Sequence, residues 1–232
     1  MKILALDTST KHFSLAVAGN GKVLASKDVV LDKILSQSIV PAIAEVLKKV
    51  KLKIKDVDGF VVGLGPGSFT SLRVGLATVK GLSFSTAKPV VGIVSLDAIA
   101  LGVKLRQGTV LVIQDARRGL VYAALYEKKG LVINRLGEYQ LVALEEVLNN
   151  KYLQTHPPLM ITGDAVGMYK DKIAAWAKLN NVDVAFDSRK NVAARAKELI
   201  VLSQSDFVKK KFKDVASIIP LYLYPADCQV QK

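Results

Sequence analysis

The chain has 232 residues, half of them hydrophobic, with a formal net charge of +13. That is enough apolar material for one large domain or two small ones, and it argues against disorder. Its one cysteine, Cys228, excludes an internal disulfide framework and any cysteine-based zinc site. The N-terminus reaches Asp7 almost at once, too soon for a signal peptide or a membrane span, so a cytoplasmic protein is expected.

In chain order, Lys2 to Asp7 reads as a strand of small and aliphatic residues, and His12 to Ala18 as a second. Gly19-Asn20-Gly21 is a hairpin turn leading into a third strand, Lys22 to Val29. Ile34, Ile39, Ile43, Val46, Leu47 and Val50 then recur at helical spacing, predicting an amphipathic helix over 36–49. Pro41 falls in its first two turns, where proline is tolerated best. Phe60 to Gly63 is a buried-looking strand that runs into the turn Gly65-Pro66-Gly67. Ser68 is a good N-cap for the helix that follows.

That helix is apolar around most of its girth. From Phe69 to Phe84 only Arg73 and Lys80 are charged, while Ser71, Gly75 and Thr78 form a stripe where another backbone could approach closely. An ordinary surface helix shows one apolar stripe, so this one is expected to be buried on two sides. Its own sheet is one cover. The other is either a further layer of this chain or a second subunit.

Pro89 to Val94 is a further strand, and Ser95 caps a short helix through Leu101. A new series begins near Thr109, with strands at 110–114, 120–126 and 131–136 and a turn at Lys128-Lys129-Gly130. It continues with a helix at 143–148, a strand at 159–162 and helices at 165–179 and 191–203, then an extended tail from Ser217. Hairpins followed by crossovers argue for a mixed sheet flanked by helices, built twice. The boundary falls in 102–108, giving lobes 1–105 and 106–232, the second with the closing helices and tail.

Lysines cluster at Lys48, Lys49, Lys51, Lys53 and Lys55, and again at Lys209, Lys210, Lys211 and Lys213. Such charge favours nucleic acid or an acidic partner, though lysine runs are also ordinary solvated faces. Only Phe212 interrupts them, so no base-stacking platform is visible.

Histidines occur only at His12 and His156, so a histidine-rich metal site is not expected, nor a Ser-His-Asp triad. Gly-Pro-Gly-Ser-Phe-Thr is neither a nucleophile elbow nor a P-loop, which leaves no catalytic residue to name. Asp7, followed by Thr8 and Ser9, ends the first strand, and Asp115 ends a later one. A carboxylate and hydroxyls there could hold hydrated magnesium and phosphate oxygens, or make an Asx turn.

Four segments together resemble the TsaB (YeaZ) family of bacterial tRNA threonylcarbamoyladenosine synthesis. They are Ile3 to Ser9; Gly65 to Thr70 with Leu72-Arg73-Val74-Gly75; Asp115-Ala116-Arg117 with Val121-Tyr122; and Pro220-Leu221-Tyr222-Leu223. The chain departs from the family's usual pattern at Ser71, at Lys33 to Gln37, and at Tyr224.

The resemblance implies an α/β, actin-like ATPase fold: two related ribonuclease-H-like lobes with a cleft, in which Asp7, Thr8, Ser9 and Asp115 are possible nucleotide-cleft residues. It implies a non-catalytic, activating subunit that holds no cofactor or metal itself. Its partners would be the catalytic subunit TsaD, the ATPase TsaE and a second copy of itself. ATP and magnesium would act in the assembled complex, and tRNA would be met through it. By position, Phe69, Leu72, Arg73, Leu76, Val79 and Lys80 would form the partner interface, assisted by the preceding helix. The alternative is a stand-alone nucleotide-binding enzyme of the same fold, an ATPase or kinase relative using Asp7.

Overall fold

A computed structural model describes residues 1–30, 35–155, 158–189 and 191–224. Cys228, His156, Lys33 and Ile34 lie outside the described residues. The chain divides into two units, Met1–Ala98 with Ala194–Leu221, and Ile99–Ala193 with the chain from Tyr222.

The first unit holds β1 (Lys2–Asp7), β2 (His12–Gly19), β3 (Lys22–Val30), α1 (Leu35–Lys49), β4 (Gly59–Gly63), α2 (Phe69–Thr86) and β5 (Val90–Ile93). The next helix, α3 (Ser95–Leu101), crosses the boundary. The sheet runs β3-β2-β1-β4-β5. The hairpin strands pair antiparallel, and β1, β4 and β5 pair parallel. At the hairpin tip Asn20 and Gly21 both take positive φ, as a two-residue turn between right-twisted strands requires.

Side chains alternate across this sheet, and the alternation decides what packs where. Leu4, Leu6, Phe13, Leu15, Val17, Phe60 and Val62 cluster with Ile39, Ile43, Val46 and Leu47 of α1 and with Leu76 and Val79 of α2. The opposite face carries Ile3, Ala5, Ala16, Gly59 and Val61. It receives α7 (Ala196–Val208), which packs on β1, β2, β4 and β5. Those small residues let α7 lie close. A Cβ on Gly59 would come within 2.3 Å of the Phe207 ring.

The sequence pattern puts the last helix in the second half, starting at Asn191. The structure starts it at Ala196 and places it in the first unit. The cause is a cap from far away in the chain: the Ala196 N–H donates to Ser14 Oγ of β2 at 2.8 Å, and Ser14 in turn donates to Asp28. Arg195, the N-cap residue, pairs with Asp28 as well.

The second unit holds β6 (Gln107–Arg117), β7 (Leu120–Lys129), β8 (Val132–Ala143), α4 (Leu144–Leu148), α5 (Tyr152–Thr155), β9 (Leu159–Thr162), α6 (Val166–Leu179) and β10 (Val184–Phe186). Its sheet runs β10-β9-β6-β7-β8, the order and strand directions of the first sheet over again. The expected turn at Lys128 is instead strand, and the side chain of Lys128 is buried. Its ammonium donates to the carbonyls of Ala100, Leu101 and Val103 at the end of α3, where a cation meets the negative end of the helix dipole.

Ser14→Ala removes the acceptor that starts α7 and should lower stability by about 0.5–2 kcal/mol, the usual range for an N-cap. Urea unfolding of the variant against the wild type measures it.

Candidate functional site

The first candidate is the end of β1. Asp7 is fully buried. Its Oδ1 accepts from the Ser9 N–H at 2.9 Å and from Ser9 Oγ at 2.6 Å, and Oδ2 accepts from Ser95 Oγ at 2.6 Å. Ser95, expected only to cap α3, therefore bridges. Its oxygen also accepts from the Gly65 N–H at 3.0 Å, while its own N–H donates to the Gly65 carbonyl. Burial pushes the Asp7 carboxyl above its ordinary value, and the Ser9 and Ser95 bonds only partly offset this. Thr8 and Ser9 are buried too. The arrangement is the Asx turn, with the carboxylate and hydroxyls committed to internal bonds.

These bonds seat the glycine turn on the β1–β2 connection. The Ser68 N–H donates to Ser9 O at 2.7 Å, and Thr8 Oγ1 donates to Ser71 O at 2.8 Å. Contact is so close that a Cβ on Gly67 would stand 2.0 Å from Ser9 O, and one on Gly75 would stand 2.3 Å from Thr8 Oγ1. The Gly65–Pro66 bond is cis. Ser68 caps α2 as expected, accepting from the Ser71 N–H at 3.4 Å.

The second candidate is α2. Gly75 and Ser71 of its small-residue stripe are approached by Thr8 of the same unit. Leu72, Leu76 and Val79, expected at a partner interface, are buried in the unit's own core. Lys80 is half-buried and donates to Ala216 O at 2.9 Å. Only Phe69 and Arg73 of the six expected residues are exposed, with the Arg73 guanidinium 3.6 Å over the Phe69 ring.

The outward face of α2 is therefore Phe69, Arg73, Ala77 and Phe84, the last 73% exposed. Next to it, α1 packs on α2 and turns Val40, Pro41 and Ala44 outward, Val40 at 59% exposure. Apart from Phe69 and Arg73, these residues are not among those the sequence pattern assigns to the interface. Phe84 was legible as a large apolar side chain in the last turn, one helical face away from Leu76 and Val79.

Asp115 lies in the second unit, apart from the β1 site in the division of the chain. Its N–H donates to Asp164 Oδ1 at 2.9 Å, and its carboxylate accepts from the Arg117 N–H at 2.8 Å in the β6–β7 turn. Tyr224, a departure from the family pattern, donates its hydroxyl to Ala116 O at 2.7 Å and meets Tyr122 edge-on. Burial lifts the Tyr122 phenol to about 12. Among the described residues no group of three or more His, Cys, Asp or Glu side chains is placed to hold a metal ion, and no helix is long and apolar enough to cross a membrane.

Comparison with known proteins settles the family. Residues 30–228 match the model of a family described as tRNA N6-adenosine threonylcarbamoyltransferase, TsaD. The TsaB protein of Escherichia coli is 31% identical over 156 residues, 66% of this chain and 67% of its own length. The TsaB protein of Bacillus subtilis is 28% identical over 231 residues, covering all of this chain and 97% of its own.

The chain belongs to the TsaB family.

Its relatives are named as proteins of tRNA threonylcarbamoyladenosine biosynthesis. YeaZ of Pseudomonas aeruginosa has the same fold, with a TM-score of 0.77, 24% identity, and 96% of this chain and 99% of that one covered. The twice-built mixed sheet flanked by helices is the actin-like ATPase fold that the sequence led us to expect.

The β1 site carries a pH signature. A carboxyl with a folded pKa above its unfolded value binds more protons when folded, so its charge costs stability as pH rises through that window. The wild type should therefore lose stability, relative to Asp7→Asn, as pH climbs from near 3.8. Urea midpoints of both proteins across a pH series test this. Parallel curves would show that Asp7 does not titrate with folding.

Proposed function

We propose that this chain is a non-catalytic, activating subunit of the tRNA threonylcarbamoyladenosine machinery. It docks the outward face of α1 and α2 on the catalytic subunit TsaD, uses the same face to pair with a second copy when alone, and works beside the ATPase TsaE. ATP and magnesium then act in the assembled complex, which is where tRNA is met.

One observation carries this reading. After burying Leu72, Leu76 and Val79 in its own core, α2 still turns Ala77 and Phe84 outward, and α1, which packs on it, turns Val40, Pro41 and Ala44 outward. Neighbouring apolar side chains on adjacent helices mark an interaction surface, and depletion of charge is the mark of an interface core. The committed bonds of Asp7, Thr8 and Ser9 favour a structural over a chemical use of the β1 end. Activation would be a population shift: contacts made only in TsaD's active arrangement favour that arrangement.

The test is light scattering after size-exclusion chromatography, with TsaD from the same organism. Wild type should form a heterodimer. Ala77→Glu with Phe84→Glu should weaken it by at least about 2 kcal/mol, roughly thirtyfold, while the melting temperature stays near wild type. Leu76→Glu would not discriminate, because an unpaired carboxylate in the core unfolds the unit. A folded double variant that pairs as tightly as wild type would rule this face out.

A further inference from the structure

The two lysine clusters, 48–55 and 209–213, lie far apart in the chain, yet the fold gathers them at one end of the first unit. The parallel strands show which end. Ile3 pairs with Gly59 and Phe60 with Val90, so β1, β4 and β5 all begin there. The hairpin tip lies there too, since Lys2 pairs with Gly19 and Gly19 with Lys22.

Each cluster is anchored to that end by separate contacts. α1 finishes there with Lys48 and Lys49 in its last turn, and the chain passes Lys53 and Lys55 before β4. The Lys2 N–H donates to Asp58 at 2.6 Å, tying that connection to the start of β1. From the opposite face of the sheet, α7 brings Phe207 onto Gly59, and Phe207 packs on Phe212, 5.5 Å between ring centroids. Lys209, Lys210, Lys211 and Lys213 follow that anchor directly.

All of these lysines are exposed. Of them, only Lys49 is in an ion pair, with Glu45, among the described residues. The carboxylates at this end are fewer, and three are bonded to backbone: Asp56 to the Lys53 N–H, Asp58 to the Lys2 N–H and Asp214 to the Ala216 N–H. The lysines come from the last turn of α1 and from two separate connections rather than from one amphipathic helix, the usual membrane-surface element.

We propose that this lysine-rich end of the first unit is a direct contact surface for the phosphate backbone of tRNA. The choice of RNA as the polyanion rests on membership in a tRNA-modification family, not on the pairing with TsaD. The surface adjoins the outward face of α1 and α2, whose last turns carry Lys48, Lys49 and Phe84, but the lysines tested below stand outside both helices. Its contribution is sequence-independent: ammonium groups displace counterions from phosphates, so binding is strong in low salt and falls steeply as salt rises.

The experiment is fluorescence anisotropy of the full chain with a labelled, unmodified tRNA transcript across a salt series. The end variant carries Lys53→Gln, Lys55→Gln, Lys211→Gln and Lys213→Gln. A control variant carries Lys104→Gln, Lys129→Gln, Lys170→Gln and Lys178→Gln in the second unit, with the same change of net charge. The end variant should lose at least about tenfold in affinity at low salt, and its slope of log K against log salt should shrink by about 3; the control should stay near wild type.

An equal loss in both variants would reduce the effect to net charge and overturn the proposal, as would wild type that binds no tRNA in low salt. Unchanged tRNA binding by the end variant, with loss of binding to phosphatidylserine vesicles or to polyglutamate, would reassign the surface to a membrane or an acidic protein. Circular dichroism melts confirm that both variants fold. Neither result depends on heterodimer formation, so the pairing and the tRNA contact can fail separately.

Discussion

The first unit is organised around one buried carboxylate. A charged group this deep costs several kcal/mol unless donors surround it. Asp7 collects three: the Ser9 N–H, the Ser9 hydroxyl and the Ser95 hydroxyl. Satisfying it fixes the β1–β2 connection against the start of α3. Through Ser95 it also fixes Gly65, two residues before the backbone of Gly67 comes to rest on Ser9. The start of α2 is therefore set by hydrogen bonds made outside the helix, and with it the rotation of α2 about its axis. Which residues of α2 face water is a consequence of that seating.

This explains what the sequence did and did not disclose about the site. The helix, its N-cap and its excess of apolar residues were all readable, because capping and periodicity are local. Its rotation was not. When Leu72, Val74, Leu76, Val79 and Leu82 cover most of the girth, hydrophobic pattern gives no direction for the inward face. The direction comes from Thr8, whose hydroxyl needs the Ser71 carbonyl and whose methyl and hydroxyl leave room only for glycine at position 75. The small-residue stripe was a true sign of close approach, but the approaching group is Thr8, in the β1–β2 connection of the same chain.

The fold was legible to the same depth. Alternation and turn residues placed the strands of both halves within a few residues, and their shared topology followed from hairpins and crossovers. The start of α7 escaped because nothing near Asn191 marks it; the acceptor for its first free N–H is Ser14, 182 residues away. Its place against the first sheet escaped for a related reason. Ala5, Ala16 and Gly59 read as modest strand residues, whereas in three dimensions they form a flat face that a helix can approach. Lys128 misled in the opposite sense. Charge suggested a turn, yet three carbonyls at the end of α3 give a buried ammonium its partners.

The first unit also separates its surfaces by charge. Its lysines gather where strands β1, β4 and β5 begin. The outward face between the N-cap and the last turn of α2 carries two charged groups, Arg73, whose guanidinium lies over Phe69, and half-buried Lys80, whose ammonium donates to Ala216 O. Docking a protein on this face strips water from few charges, so little of the gain from burying Ala77, Phe84 and Val40 is lost to desolvation. The lysines would be poor material for such a surface, since each would have to be dehydrated or paired. At a solvated end, facing a polyanion that sheds counterions, the same groups are favourable. A single α/β unit can therefore offer both kinds of surface: strand direction sends α1, α2 and α7 to finish at the lysine-rich end, while Ala77 and Val40 stand on the helix flanks short of it.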